Sequence, residues 1–562
     1  MSGYRLPLIG VVCCASILTH GSVLAADVPE RGKAPLGQPQ VSPPPVDTPV
    51  GVSRVVSLPS ATASGSQVDA GPKVMVRQLR IKGNTRFPEA VLLAQTGFVA
   101  NSELDLATLQ QMAQKVQDYF QAQGFFLTRA YLPPQHNADG EVTIEILEAR
   151  YGKVQVNNPA ALANAQVTWL TQDLKSGETP RLAPLERALL MLNDVPGLGV
   201  KSTIAPGAET GQADLLLTVE AGRKWSGSVD FDANGSRSTG KERLGASLVG
   251  NNLAGYGDQL NVRVLSSFQG LNNGRVAWQV PVQAVQLGLA YSVTDYSLGR
   301  EFASLGANGT AKSTTLSLSH TLLRSRQANL YAQISVDDKK LRDRIDSTNS
   351  VTDKSATVLT FGLNGERYDQ TAGQGVSAFN FNLLRGQLRL DSDVLRLQDE
   401  LSQHTAGGYT KLVYGVNRTH TLGPKDSLSI NFSGQLSSKN LDSSEKMVLG
   451  GAAGVRAYPQ DEASGDEANL LNVEWRHTLP AFASAPGLWQ VATFVDAGQS
   501  KSVKSSADSI RRTLSGFGVG LHWDKPGEFS LKFDWAWKLG SEKAQSGSDR
   551  NGRLWLQGAK YF

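Results

Sequence analysis

Residues 225–234 read WSGSVDFDAN, a stretch in which apolar or small residues alternate with polar ones. Trp225, Val229 and Phe231 fall on one face of an extended strand, whereas Asp230 and Asp232 fall on the other. This follows because successive side chains of a strand point to opposite sides. One face suits lipid and the other suits water, which is the pattern of a membrane-spanning β-strand.

The same alternation recurs from this stretch to residue 562, and we count sixteen such segments. The links between them are alternately short and long. The short links are residues 254–258, 323–327, 422–426 and 524–527, and the long ones are residues 297–311, 339–353, 390–406 and 439–468. Outer-membrane barrels combine short periplasmic turns with longer external loops. We therefore predict that residues 223–562 form a 16-stranded antiparallel transmembrane β-barrel.

A large soluble β-sandwich or propeller is the alternative for this half. About 340 residues of continuous alternation, with no helix and no blade-length repeat, argue against it. With a periplasmic N-terminus, an even strand count returns the chain to the periplasm. The last segment ends on Tyr561 and Phe562, and a terminal aromatic resembles the C-terminal signal of outer-membrane barrels.

The N-terminus is predicted to be a secretory signal peptide over residues 1–26. Arg5 supplies the positive charge, residues 6–18 are mostly apolar, and residues 23–26 (VLAA) offer cleavage after Ala25 or Ala26. Both cysteines lie inside it, so the mature protein is expected to have none; a lipoprotein signal suits the residues before them poorly. Residues 27–72 are rich in Pro and Ser and are predicted to be a flexible, disordered tether.

Two α+β units follow, over residues 73–150 and 151–222. Each has the order strand, helix, helix, strand, strand. Apolar residues three and four apart predict the main helix of the first unit over residues 105–123 and that of the second over residues 184–194. Two units with the same layout indicate a tandem module.

Composition and motifs exclude several functions. The net charge of +4 is too small to indicate nucleic-acid binding, and the seven histidines lack metal-ligand spacing. Residues 235–241 (GSRSTGK) match most of a phosphate-binding loop, but Glu242 stands where a Ser or Thr should hold magnesium. We predict no cofactor, no metal site and no catalytic residues, and that the protein is not an enzyme.

The long polar link at residues 439–468 carries a single arginine, Arg456, between small and aromatic residues. The thirteenth segment, residues 488–498, places Asp496 on its inward face. An ionised carboxylate at membrane depth is tolerated only toward water or a partner cation. From spacing alone, Asp496 either lines a wet lumen or pairs with Arg456, and both alternatives remain open.

The two α+β units resemble POTRA domains, and residues 184–197 (PLERALLMLNDVPG) look like the second POTRA of two-partner secretion transporters. Two further motifs resemble those of the same family, the haemolysin and filamentous haemagglutinin secretion-activation type. They are the VRG(Y/F) loop tip, at Val455, Arg456, Ala457 and Tyr458, and the F-x-D-x-G strand motif, at Phe494, Asp496 and Gly498. The resemblance spans residues 73–562.

In that family the sixth external loop folds into the barrel lumen, and its arginine meets the aspartate of strand thirteen. Residues 439–468 are the sixth external loop by our count, so the resemblance implies that Arg456 pairs with Asp496. In a wet lumen this pair should stabilise the loop by about 1 kcal/mol. Two departures stand out: Ala457 replaces the usual glycine, which makes a positive φ costly, and no plug helix is evident in residues 27–72.

The resemblance implies an outer-membrane transporter with POTRA domains in the periplasm. It would export a large adhesin- or haemolysin-type exoprotein by two-partner secretion, without nucleotide hydrolysis. The exoprotein's N-terminal secretion domain would bind the POTRA units; outer-membrane lipids and the barrel-assembly machinery are the other expected partners. A barrel-assembly insertase is the main alternative, although two POTRA units rather than five favour the transporter. A barrel enzyme and a passive porin are weaker alternatives.

Overall fold

The computed structural model describes residues 56–57, 73–136, 139–369, 374–502 and 509–562. Contacts divide these residues into two compact units, one within Pro49–Gly222 and one within Arg223–Phe562. The predicted signal peptide lies outside the described residues, as does the predicted tether except for Val56–Ser57. No helix in the described ranges is long and apolar enough to cross a membrane.

The first half of the N-terminal unit packs two helices against short strands. Its elements, after β1 (Val56–Ser57), are β2 (Val74–Val76), β3 (Gln78–Lys82), α1 (Glu89–Thr96), β4 (Ser102–Leu104), α2 (Leu106–Ala122), β5 (Arg129–Tyr131) and β6 (Glu141–Leu147). β6 pairs with β3 in parallel and with β5 antiparallel, while β2 pairs with β4. Strand β4 between the helices was not predicted, because three residues are too few to show a period.

Helix α2 forms for the reasons that its sequence predicts. The Asp105 side chain caps it by accepting a hydrogen bond from the backbone N–H of Thr108 at 2.7 Å. Its buried face carries Leu109, Val116 and Phe120 into a core shared with the sheet. The spacing of these residues, three and four apart, thus places them in the core of this half.

The second half of the unit builds a four-stranded sheet covered by two helices. Its elements are β7 (Arg150–Asn157), α3 (Asn164–Leu170), α4 (Leu182–Asn193), β8 (Leu198–Pro206) and β9 (Gln212–Ala221). The strand order is β1-β8-β9-β7. Leu185, Leu189 and Leu192 of α4 are fully or almost fully buried over this sheet. Val56–Ser57, inside the predicted tether, pairs in parallel with Ser202–Thr203.

The C-terminal unit is a closed barrel of sixteen antiparallel strands, which confirms the predicted fold. The strands are β10 (Trp225–Asp232), β11 (Arg243–Asn251), β12 (Gln259–Ser266), β13 (Leu271–Val282), β14 (Val285–Ser297), β15 (Ala307–Arg324), β16 (Ala328–Ile345), β17 (Ser350–Asp369), β18 (Gly375–Leu390), β19 (Gly407–Thr421), β20 (Asp426–Ser437), β21 (Glu467–Thr478), β22 (Leu488–Ser502), β23 (Ile510–Lys525), β24 (Phe529–Lys538) and β25 (Gly552–Tyr561). The ring closes where Ser228–Asp232 of β10 pair with Gln557–Tyr561 of β25.

Alternation sorts the side chains of each strand between the outer face and the interior. On β10, Val229 and Phe231 are exposed on the outside, whereas Asp230 and Asp232 are buried inside. Arg263 of β12 reaches Asp230 at 2.9 Å across the inner wall. The outer face is therefore apolar and the inner wall carries paired charges, as a membrane barrel requires.

The long links are less uniform than predicted. Residues 339–353 are not a long loop, because β16 and β17 continue through them and leave only residues 346–349 as a connection. Charged residues occupy both faces of these extensions, so the alternation that identifies a strand is lost there. Residues 390–406 contain a helix, α5 (Asp393–Glu400), and a 3₁₀ helix spans Arg300–Leu305. The link between β20 and β21, residues 438–466, is the sixth on its side of the barrel.

Candidate functional site: a loop bound inside the barrel

The link between β20 and β21 (residues 438–466, the lumen loop) folds into the barrel interior. Leu449, Val455 and Tyr458 are fully buried and pack against inward-facing residues of β21 to β24. Backbone hydrogen bonds hold the two limbs of the loop together: Met447 N donates to Gly465 O at 2.9 Å, and Leu449 N donates to Glu462 O at 3.2 Å. The loop is therefore a stiff hairpin, not an open coil.

Arg456 at the loop tip and Asp496 on β22, the thirteenth barrel strand, lie in direct contact. The guanidinium Nε donates to Asp496 Oδ2 and Nη2 donates to Oδ1, both at 2.9 Å. The backbone N–H of Arg456 also donates to Oδ2 at 3.1 Å. Asn472 of β21 fixes the same carboxylate, because its Nδ2 donates to Oδ1 at 2.8 Å. This bidentate geometry is typical of strong and directionally specific ion pairs.

Two further carboxylates surround Arg456, and sequence reasoning missed both. Nη1 contacts Glu474 Oε2 of β21 at 2.7 Å and Asp534 Oδ2 of β24 at 3.3 Å. We call Arg456, Asp496, Glu474 and Asp534 the arginine cluster. Arg476 and Lys532 contact Glu474 and Asp534 in turn, at 2.6 and 3.2 Å, so three cations face three carboxylates. The only clue in the sequence was that β21 and β24 each carry a charged residue on the face that points into the barrel.

The arginine cluster is buried inside the barrel. Arg456 is 4 % exposed and Asp496 is fully buried. The Phe494 ring lies 3.3 Å from the guanidinium carbon, and the Trp555 indole donates to Arg456 O at 2.7 Å. A buried pair that loses one partner leaves an uncompensated charge, which costs about 3–5 kcal/mol. The expected value of about 1 kcal/mol assumed a wet lumen, whereas the pair is buried; its net contribution stays a prediction.

Electrostatics keep Arg456 charged at this depth. Burial disfavours the guanidinium cation, but Asp496, Glu474 and Asp534 outweigh it and raise the pKa of Arg456 above its ordinary value. The loop tip therefore places a permanent positive charge next to three carboxylates of the barrel wall.

Two glycines of β23 leave space for the loop-tip motif (residues 455–458) and the strand motif (residues 494–498). A Cβ at Gly516 would collide with the Ala457 side chain, and a Cβ at Gly518 would collide with the Phe494 ring. Ala457 does not have a positive φ, so the strain expected from replacing the usual glycine does not arise. The positive φ values of this loop fall instead on Gly451, Asp461 and Ala463, at 116°, 67° and 55°.

The remaining predicted residues occupy two places. Gly498 of β22 lies against the Leu449 side chain of the loop. Tyr458 donates through its hydroxyl to Glu542 O at 3.1 Å. At the barrel seam, Tyr561 is buried and Phe562 is exposed, and Phe562 and Gly227 exchange backbone hydrogen bonds at 3.0 Å.

A further contact of the loop was also missed by sequence reasoning. Glu462 accepts hydrogen bonds from the backbone N–H groups of Gln545 and Ser546, at 2.9 and 2.8 Å, and pairs with Arg512 of β23. These contacts attach the C-terminal part of the lumen loop, which carries Glu462, to the link between β24 and β25. Neither residue carries a recognisable motif, and a lone arginine on an inward face does not reveal its partner.

Comparison with known proteins places this architecture in a family. Residues 211–523 match the model of the haemolysin secretion/activation proteins ShlB/FhaC/HecB, and residues 74–149 match the ShlB-type POTRA domain. The chain belongs to the ShlB/FhaC/HecB family. The resemblance drawn from the sequence motifs is thereby confirmed. The protein is an outer-membrane secretion transporter whose POTRA domains lie in the periplasm.

Individual relatives agree with this assignment. The heme/hemopexin transporter protein HuxB of Haemophilus influenzae (strain 86-028NP) is 28 % identical over 82 % of each chain. The outer membrane transporter CdiB of Dickeya dadantii is 25 % identical, over 84 % of this chain and 83 % of its own. The solved structure of CdiB from Escherichia coli superposes with a TM-score of 0.68, at 21 % identity, over 90 % of this chain and 93 % of its own.

Proposed function

We propose that this chain exports a large partner exoprotein of the adhesin or haemolysin type, and that displacement of the lumen loop opens the way. The observation that supports this most is the burial of Arg456 among three carboxylates inside a closed barrel. A loop held so firmly in the lumen fills the space that a translocating chain needs. Export then requires the loop to leave this position, and folding of the exported protein outside supplies direction without nucleotide hydrolysis.

The proposed residue roles follow from this. Arg456, Val455, Ala457 and Tyr458 form the part of the loop that locks, and Phe494, Asp496 and Gly498 form its receptor on the wall. Residues 73–150 and 151–222 are the proposed POTRA domains that receive the exoprotein's N-terminal secretion domain. Strand addition is the physical means, because an added strand gains backbone hydrogen bonds.

Edge strands of the N-terminal unit are suited to that addition. In its described part, β3 and β5 are the two edges of one sheet and β7 is an edge of the other. The outer edge of β7 is partly occupied, because Tyr151 exchanges backbone hydrogen bonds with Gly177 and Glu178. Outer-membrane lipids on the apolar outer face, and the assembly machinery during biogenesis, complete the proposed partners. We propose residues 1–26 as the export signal and residues 27–72 as the tether ahead of the POTRA domains.

Depletion of the protein in its native host tests this function. We expect one large exoprotein to disappear from the cell surface and medium, and to co-purify with a fragment of residues 73–222. A parallel fall in many outer-membrane proteins would instead identify an insertase, which is the alternative that shares this architecture.

A further inference from the structure

The first limb of the lumen loop is buried at a second place on the barrel wall. Glu445 lies in a short 3₁₀ helix, Ser443–Glu445, and is 2 % exposed. Its carboxylate oxygens lie 2.8 Å from Lys339 Nζ of β16 and 2.8 Å from Lys411 Nζ of β19. We call Glu445, Lys339 and Lys411 the glutamate cluster.

Neighbouring contacts fix the same limb to the same wall. Lys411 Nζ and Gln435 Nε2 both donate to Glu445 O at 3.0 Å. One turn earlier, Asp442 pairs with Lys354 of β17 at 3.0 Å. The limb is thus held by three strands, β16, β17 and β19, through ion pairs that are largely shielded from water.

These strands differ from the ones that hold the loop tip. β16 and β24 are eight positions apart in the ring of sixteen strands, as are β17 and β25, whereas β19 with Lys411 is three positions from β22 with Asp496. Asp534 of β24 contacts Arg456 and Trp555 of β25 bonds its carbonyl, whereas β16 and β17 hold Glu445 and Asp442. The limb and the tip are therefore held by different strands, the carboxylates of the limb by lysines and the arginine of the tip by carboxylates.

The two clusters are joined by a stiff segment. The bonds between Met447 and Gly465, and those from Leu449 and Gly450 to Glu462 O, pair the limbs between Glu445 and Arg456. Release of the tip alone therefore leaves the loop attached through Glu445. Burial opposes ionisation of Glu445, but Lys339 and Lys411 outweigh it and lower its pKa to about 2. The Glu445 carboxylate consequently stays ionised at ordinary pH.

We propose that the glutamate cluster is a second latch, which must release together with the arginine cluster before the lumen clears. This inference rests on the proposed export function. Either latch alone keeps the hairpin inside the barrel, so the closed state persists when only Arg456 is neutralised.

Single-channel conductance of the purified full-length protein in planar bilayers tests the second latch without any exported partner. The variants are Glu445→Gln, Arg456→Gln and the combination of both. We expect each single variant to raise the open fraction modestly and the combination to raise it roughly tenfold above Arg456→Gln, the change produced by losing about 1.4 kcal/mol of restraint. Lys339→Gln should act in the same direction as Glu445→Gln.

Lys340→Gln is the matched control, since Lys340 is the next residue on β16 and is exposed to solvent. Heat-modifiable migration in gels checks that each barrel is assembled. The proposal is overturned if assembled Glu445→Gln and Lys340→Gln behave alike in both the parent and the Arg456→Gln background. Failure of the export function would appear separately, as an unchanged exoprotein in the depletion experiment.

Discussion

At the scale of residues, the arginine at the loop tip does what a lysine could not. Arg456 uses Nε and Nη2 on one carboxylate while Nη1 contacts two others, and its flat face lies on the Phe494 ring. A planar guanidinium can satisfy all of these directions at once, whereas an ammonium is a point charge with three donors. The identity of this residue is therefore set by geometry as well as by charge.

Charge reversal at the arginine cluster tests the proposed lock. We expect Arg456→Asp and Asp496→Arg each to cost about 3–5 kcal/mol of loop binding. Each should impair export while the barrel still assembles, because like charges then face each other at the loop tip and the loop loses its defined position. The combined swap should restore export only in part, because an aspartate at position 456 would still face Glu474 and Asp534. Export is measured as exoprotein in the medium.

Lys425→Asp is the control for these reversals, as Lys425 lies in an exposed turn between β19 and β20. Normal export by both single reversals would remove the pair from the mechanism.

Asp461 gives the loop a pH dependence. Burial raises the pKa of Asp461 to about 6, although Ser236, Gln460 and Arg243 act to lower it. A released loop returns the group to its ordinary pKa near 3.8. The bound loop therefore favours the protonated carboxyl. Loop binding weakens as pH rises from about 4 to about 6, by up to about 3 kcal/mol.

We therefore expect channel opening to increase between about pH 4 and about pH 6 and to level off at higher pH, and Asp461→Asn to flatten that rise. Channel conductance is measured against pH for the parent protein and for Asp461→Asn. The difference between the two profiles reports the contribution of Asp461 separately from other titrating groups. Superimposable profiles would show that Asp461 does not set the dependence.

At the scale of elements, β23 is shaped to receive the loop. Its inward glycines leave the space that Ala457 and Phe494 fill. In the sequence these glycines look like ordinary small residues of a barrel strand. The role of Gly516 is hidden because Ala457, which fills the space beside it, lies about 60 residues earlier in the chain. Helix α2 was predictable in detail because its cap and its buried face are specified by neighbouring residues. The strand extensions of β16 and β17 carry charges on both faces, so no local pattern identifies them as strands.

Gly516→Val should displace the loop tip, since the added side chain occupies the place of the Ala457 methyl group. Overpacking of this kind costs about 1–3 kcal/mol, so the open fraction in bilayers should rise. Gly274→Val on β13 is a matched control, as a Cβ there meets no atom within 4 Å. Equal conductance of the two variants would contradict the packing that we describe.

At the scale of the whole molecule, the fold could be predicted from a two-residue period, but the site only in part. The period specifies a barrel because each strand is amphipathic on its own. Arg456 and Asp496 could be paired through family motifs, while Glu474, Asp534 and Glu445 could not. Their partners lie on other strands, and nothing local distinguishes a charge that binds a loop from one that lines a lumen.

A reversible covalent lock between the loop tip and its surroundings tests the central claim most directly. A Cβ on Gly547 would lie 3.3 Å from Pro459 Cβ, close to the separation of about 3.5–4.5 Å found in disulfides. In Pro459→Cys/Gly547→Cys, we predict that oxidation stops exoprotein export and that a reductant restores it, while each single cysteine variant exports normally. Export that continues at the normal rate with the disulfide intact would contradict the requirement that the loop leaves the lumen.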